Sequence, residues 1–119
     1  MRDKDVGFLP VCDEAGGVVG VITDRDLVVR VWAEEARPAA TQVGSVMTRG
    51  TICCRPTHTL GHAERLMRRH HLTRLLVTDD RAHPVGVVSL SDIAQYERAS
   101  RVGQTLKTIA ERKYAPERP

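Results

Sequence analysis

The chain has 119 residues, 41% of them hydrophobic, and a formal net charge of +3. That is one compact domain's worth of core, and no apolar run approaches the roughly 18 residues needed to cross a membrane as a helix. The charged opening MRDKDVGFLP holds no apolar stretch of signal-peptide length, and the 3 cysteines form neither a disulfide framework nor a CxxC knuckle, so a reduced cytoplasmic setting is expected.

In chain order, FLPVCD is a short β-rich run, EAGG is turn-like, and VVGVI is a second strand at hairpin spacing. Thr23-x-x-Asp26 then fits the capping-box pattern of a helix start. Leu27, Val28, Val31 and Trp32 fall on one face at helical spacing, which predicts a helix ending near Ala36, ahead of Pro38. Thr51–Cys54 reads as a strand on which Cys53 and Cys54 point to opposite faces and serve as small buried hydrophobes. After a turn at Pro56, with Thr59 as N-cap, a helix is predicted from Leu60 to His70, its inner face marked by Leu60, Ala63, Leu66, Met67 and His70. RLLVTDD, DRAH and PVGVV repeat the hairpin, and Ser89-x-x-Asp92 repeats the cap. Ile93 and Tyr96 begin the helix that follows. A last helix is predicted from Val102 to Lys113, with Val102, Leu106, Ile109 and Ala110 in line, and APERP closes the chain as a frayed end.

The second hairpin is a copy of the first. Gly7–Leu27 aligns with Thr73–Ile93 without a gap, with identity at Leu9/Leu75, Val11/Val77, Asp13/Asp79, Val19/Val85, Gly20/Gly86, Val21/Val87 and Asp26/Asp92. Two related units in so short a chain argue for a pseudo-twofold pair. The same alignment sets Met1 opposite Met67, so the opening strand and helix of the second unit have no counterpart in the first. The start is mis-set, or the chain is a fragment, or the first half is incomplete. Another copy of the chain, or the missing residues, is expected to cover the apolar surface and sheet edge left open.

The runs LPVCDEAGGVVGVITDRDL, VMT, AERLM and RLLVTDD…PVGVVSLSDI, in that order and spacing, resemble a tandem pair of cystathionine-β-synthase (CBS) domains, or Bateman module, of the stand-alone bacterial type. The resemblance covers about residues 1–96. It implies an α+β fold of two pseudo-twofold β-α-β-β-α units, the first lacking its opening strand and helix. The expected divisions are 1–44 for the first unit, 45–97 for the second and 98–119 for a helical tail. It also implies a non-catalytic module that binds an adenine-containing nucleotide (AMP, ADP, ATP or S-adenosylmethionine) between its units, forms a homodimer and regulates a further protein.

Carried over by position, the resemblance implies a ligand site of Thr23, Asp26, Thr51, Ile52, Leu72, Thr73 and Arg74. Asp26 would accept the ribose hydroxyl protons, Ile52 and Leu72 would sandwich the base, and backbone groups near Thr51 and Thr73 would read its edge. Arg74 stands where other members place a basic residue on phosphate, a role that suits guanidinium. A second, weaker site would draw on Val6, Gly7, Phe8, Ser89 and Asp92, with Phe8 where the first has Arg74. No cofactor is required beyond that regulatory nucleotide.

No catalytic constellation stands out: there is no GxSxG or Walker pattern and no cysteine evidently paired with a base. His58 and His62 have a metal-compatible spacing but no carboxylate nearby to complete a site, so they read as surface histidines. The basic run RLMRRHH is short and aromatics are only 3% of the chain, so nucleic-acid binding ranks below a ligand-free protein-interaction module, itself the alternative to nucleotide sensing.

Overall fold

Two hairpins organise the chain, and a capped turn of helix follows each one directly. The structure, a computed structural model, describes residues 1–113, with side chains through Glu111. The closing APERP lies outside the described residues. The architecture is mixed α+β and separates into two compact units, one of residues 1–51 with 80–84, the other of 52–79 with the chain from 85 on.

In the first unit, β1 (Phe8–Cys12) pairs antiparallel with β2 (Val18–Thr23), from Phe8 opposite Thr23 to Cys12 opposite Val18. Asp13 shapes the turn between them: its Oδ1 accepts from the backbone N–H groups of Ala15 and Gly17, both at 3.0 Å. Gly16, at φ +87°, supplies the left-handed residue that the turn requires. Helix α1 (Asp24–Leu27) runs into a single π-helical turn, Val28–Trp32, then a 3₁₀ turn at Pro38–Ala40 and the short α2 (Val43–Val46). Past α2, Thr48 and Val21 exchange both backbone hydrogen bonds, at 2.9 and 2.8 Å, which ties this segment to β2. The apolar cluster is Ile22, Val31, Val46 and Met47.

The second unit has a three-stranded sheet in the order β3 (Cys53–Cys54), β4 (Arg74–Thr78), β5 (Pro84–Ser89), with β3 parallel to β4. Helix α3 (Leu60–His70) begins where the sequence predicts, with the Thr59 hydroxyl accepting from His62 N–H at 3.1 Å. His71, at φ +54°, ends it in the left-handed conformation. The unit closes with α4 (Leu90–Ile93) and α5 (Ala99–Lys113). Its core holds Cys54, Ala63, Met67, Leu75, Leu90, Ile93 and Ile109, with Met67, Leu75 and Ile93 fully buried. Each of those three contributes about 1.5–3 kcal/mol by leaving water.

Three expectations from periodicity are corrected. On the segment after Asp26 only Val31 is buried, while Leu27, Val28 and Trp32 are exposed, Trp32 to 81%. Helical spacing identifies an apolar face but not what covers it. On α3, Ala63 and Met67 face the core as predicted, but Leu60 is exposed and Glu64 takes a fully buried place beside them. The strand expected over Thr51–Cys54 pairs only at Cys53 and Cys54, and Cys54 alone of the two is buried.

Candidate functional site

Both hydroxyl–carboxylate pairs sit where a hairpin strand becomes a helix, and both are complete capping boxes. In the first, Asp26 N–H donates to Thr23 Oγ1 at 3.1 Å and Thr23 N–H donates to Asp26 Oδ2 at 2.9 Å. In the second, Asp92 N–H donates to Ser89 Oγ at 3.1 Å and Ser89 N–H to Asp92 Oδ2 at 2.8 Å. The chain needs an extended residue there to leave the strand, and a short hydroxyl side chain satisfies the orphan amides of the first turn.

The two carboxylates differ in their surroundings. Asp26 is 9% exposed and held on several sides. Thr48 Oγ1 donates to it at 3.3 Å, and Arg30 Nε lies 3.9 Å away while that guanidinium's Nη1 donates to the carbonyls of Val46 and Met47 at 2.9 Å. Thr48 and Arg30 are not among the residues that the sequence singled out, although Thr48 belongs to the VMT run. Asp92 is exposed. Hydrogen bonds from the Ser89 backbone, then its side chain, hold this carboxyl below the usual carboxylate range, and Arg74 adds to the effect.

The remaining expected site residues fall into separate groups. Gly7 abuts α1: its carbonyl accepts from Asp24 N–H at 3.0 Å, and a Cβ on it would meet the Asp24 carboxylate at 2.6 Å. Val6 is exposed and Phe8 half-buried at the start of β1. Thr51, in the first unit, and Ile52, in the second, are both half-buried ahead of β3. Leu72 packs on the second core, and Thr73 and Arg74 are exposed where β4 begins. Thr73, Arg74 and Ser89 are brought together, because the start of β4 and the end of β5 meet where Leu90 N–H donates to Thr73 O at 2.8 Å. They line a cavity of about 280 Å³ with Leu90, Val102 and Leu106. The last two belong to α5 and were not expected at a site.

Elsewhere, the His58 and His62 rings lie 4.2 Å apart, and His58 Nδ1 accepts from Arg55 N–H at 3.0 Å. Among the described residues no three or more His, Cys, Asp or Glu side chains group as a metal site. In the basic run, Arg68 Nη1 donates to Thr105 Oγ1 at 3.0 Å, so this guanidinium is engaged with α5. No helix among the described residues is long and apolar enough to cross a membrane.

Comparison with known proteins gives the constellation a context. The family model for the CBS domain matches residues 1–33 and 43–99. Protein MJ1404 of Methanocaldococcus jannaschii is 37% identical over 124 residues, 92% of this chain. The gamma-3 subunit of the 5'-AMP-activated protein kinase from Bos taurus is 36% identical over 99 residues, 78% of this chain. The chain spans only 29% and 20% of these two relatives' lengths. Among solved structures, the CBS domain pair of protein MJ0100, in complex with 5'-methylthioadenosine and S-adenosyl-L-methionine, superposes with a TM-score of 0.67 at 26% identity, over 79% of this chain and 72% of that one.

Proposed function

The chain belongs to the CBS domain family, and from that premise we propose that it is a non-catalytic regulatory module that binds an adenosine-containing ligand and relays its presence to a partner protein. The observation that carries this reading is the Thr23–Asp26 cradle, in a chain whose structural relative MJ0100 is a CBS pair in complex with two adenosine derivatives. The name of the kinase subunit, which refers to activation by 5'-AMP, supports the same ligand class.

In this reading Asp26 takes the ribose. Its carboxylate is fixed by Thr23 and Thr48, and a carboxylate has about four lone-pair positions, so acceptor capacity remains for ribose hydroxyls. The half-buried Ile52 and Leu72 provide apolar contact for the base, and backbone groups of Thr51 and Thr73 read its edge. Arg74, exposed at the start of β4, meets the anionic end. Val6, Gly7, Phe8, Ser89 and Asp92 form a second, weaker site. The module works in the cytoplasm.

A second copy is the proposed cover for the apolar surface beside α1. Leu27, Val28, Val31, Trp32, Ala36 and Pro38 line a groove of about 630 Å³. Arg25 stands near one end of this helical stretch and Glu34 and Glu35 near the other, so an antiparallel copy pairs opposite charges around a shared apolar centre. The same groove favours the second reading, a ligand-free protein-interaction module.

Thermal unfolding with AMP, ADP, ATP, S-adenosylmethionine, 5'-methylthioadenosine and NADH separates the two. A ligand at one hundred times its dissociation constant adds about 2.7 kcal/mol of stability, so at least one of these compounds raises the melting temperature. An unchanged melting temperature with all of them sends the account to the interaction module.

A further inference from the structure

The family match ends at Ala99, the first residue of α5, yet the helix runs on to Lys113 and is built into the second unit. Val102 packs on the apolar core, and Ile109 is part of it. Between them Thr105 is fully buried: its hydroxyl donates to Glu64 Oε2 at 2.9 Å and accepts from Arg68 Nη1 at 3.0 Å. Arg101, one turn earlier, brings its Nε to 3.4 Å from the other oxygen of the same buried carboxylate. The helix is therefore held by one polar latch set in an apolar contact. A slipped α5 takes the Thr105 hydrogen bond and the Arg101 contact away from Glu64 and leaves it only Arg68, 3.8 Å away on its own helix.

The same helix turns a second set of side chains to the cavity at Thr73, Arg74 and Ser89. Val102 and Leu106 line it, and Leu106 stays 52% exposed. An apolar side chain half in water beside a guanidinium and hydroxyl groups matches a ligand with an anionic end and an apolar body. From this juxtaposition we infer that α5 is the read-out element of the ligand site, with Leu106 a ligand contact: an adenosine ligand held at Arg74 covers Leu106 and so binds better when α5 is seated. This rests on the proposed reading that Arg74 meets the ligand. It assigns the output to a helix that lies almost wholly beyond the family match.

Coupling of this kind is reciprocal. Whatever factor the seated helix adds to ligand affinity, the ligand adds to the seating of the helix. Two measurements on the full chain test it, hydrogen–deuterium exchange across Ala99–Lys113 and calorimetric titration of wild type and Leu106→Gln, each with AMP and with S-adenosylmethionine. With a saturating ligand, α5 amides are expected to exchange about 5-fold more slowly or better, and Leu106→Gln to weaken that ligand by a similar factor. Because Leu106 is half exposed, the substitution leaves the fold intact, and the exchange experiment needs no variant. If a ligand binds but α5 exchange is unchanged and Leu106→Gln binds like wild type, the inference fails and the ligand reading stands. If neither compound binds wild type, the pair of measurements is made with whichever of the other four raises the melting temperature, and if none of the six does, both fall.

Discussion

Gly20 lies so close to Thr48 that a Cβ added to it would come within 2.7 Å of the Thr48 carbonyl oxygen, and within 2.8 Å of Met47 Sδ. The contact follows from the bridge between Val21 and Thr48, which lays the segment beyond α2 directly against β2. Gly86 is the repeat partner of Gly20, and a Cβ there meets nothing within 4 Å. Gly20→Ala therefore costs about 1–3 kcal/mol through forced backbone displacement. Gly86→Ala stays within about 0.5 kcal/mol of wild type. Urea unfolding of the two variants measures the difference.

The buried carboxylate of Glu64 depends on Thr105. Thr105→Val removes a donor to Glu64 and an acceptor for Arg68 while keeping the side-chain shape, and leaves both groups short of a partner. The expected loss is about 1–3 kcal/mol in equilibrium unfolding. Thr105→Ser, which retains the hydroxyl, loses much less.

Trp32 is the single tryptophan of the chain and is 81% exposed in the protomer. If a second copy covers the groove, its emission moves to the blue as protein concentration rises through the dimerisation range. Trp32→Asp abolishes that shift and gives a monomer by light scattering.

The three thiols differ in access. Cys12 is exposed, Cys53 half-buried and Cys54 only 4% exposed. Burial pushes the Cys53 thiol above its ordinary pKa, against smaller opposing effects from a Thr78 hydrogen bond and Arg55, and burial likewise raises Cys54. Since the thiolate is the nucleophile, iodoacetamide near neutral pH alkylates Cys12 first. Cys53 follows as pH climbs beyond the usual thiol range, and Cys54 reacts only on unfolding. Peptide mass spectrometry reads the order.

Features fixed by neighbours in the chain were legible in the sequence. The Thr59 cap and the run from Leu60 to His70 place α3 to the residue, and both capping boxes follow from spacing alone. Long-range partners were not. Glu64 sits on a basic, amphipathic helix and reads as solvated, but its buried place is made by Thr105 and Arg101 on a helix some forty residues on. In the same way nothing local in the sequence puts Arg74 and Ser89 on one cavity; the hairpin does so by setting its strand ends side by side, with Val102 and Leu106. The apolar stripe from Leu27 to Trp32 was legible as a stripe, but helical periodicity carries no information on which molecule covers it.

Calorimetric titration of AMP and S-adenosylmethionine into wild type, Asp26→Ala and Asp92→Ala tests the proposal that Asp26 holds the ribose of an adenosine ligand. Loss of charge-assisted hydrogen bonds worth about 1.5–3 kcal/mol weakens the ligand roughly 10- to 100-fold in Asp26→Ala, and the account predicts a smaller loss in Asp92→Ala. A larger loss in Asp92→Ala, or wild-type affinity in Asp26→Ala, would contradict it.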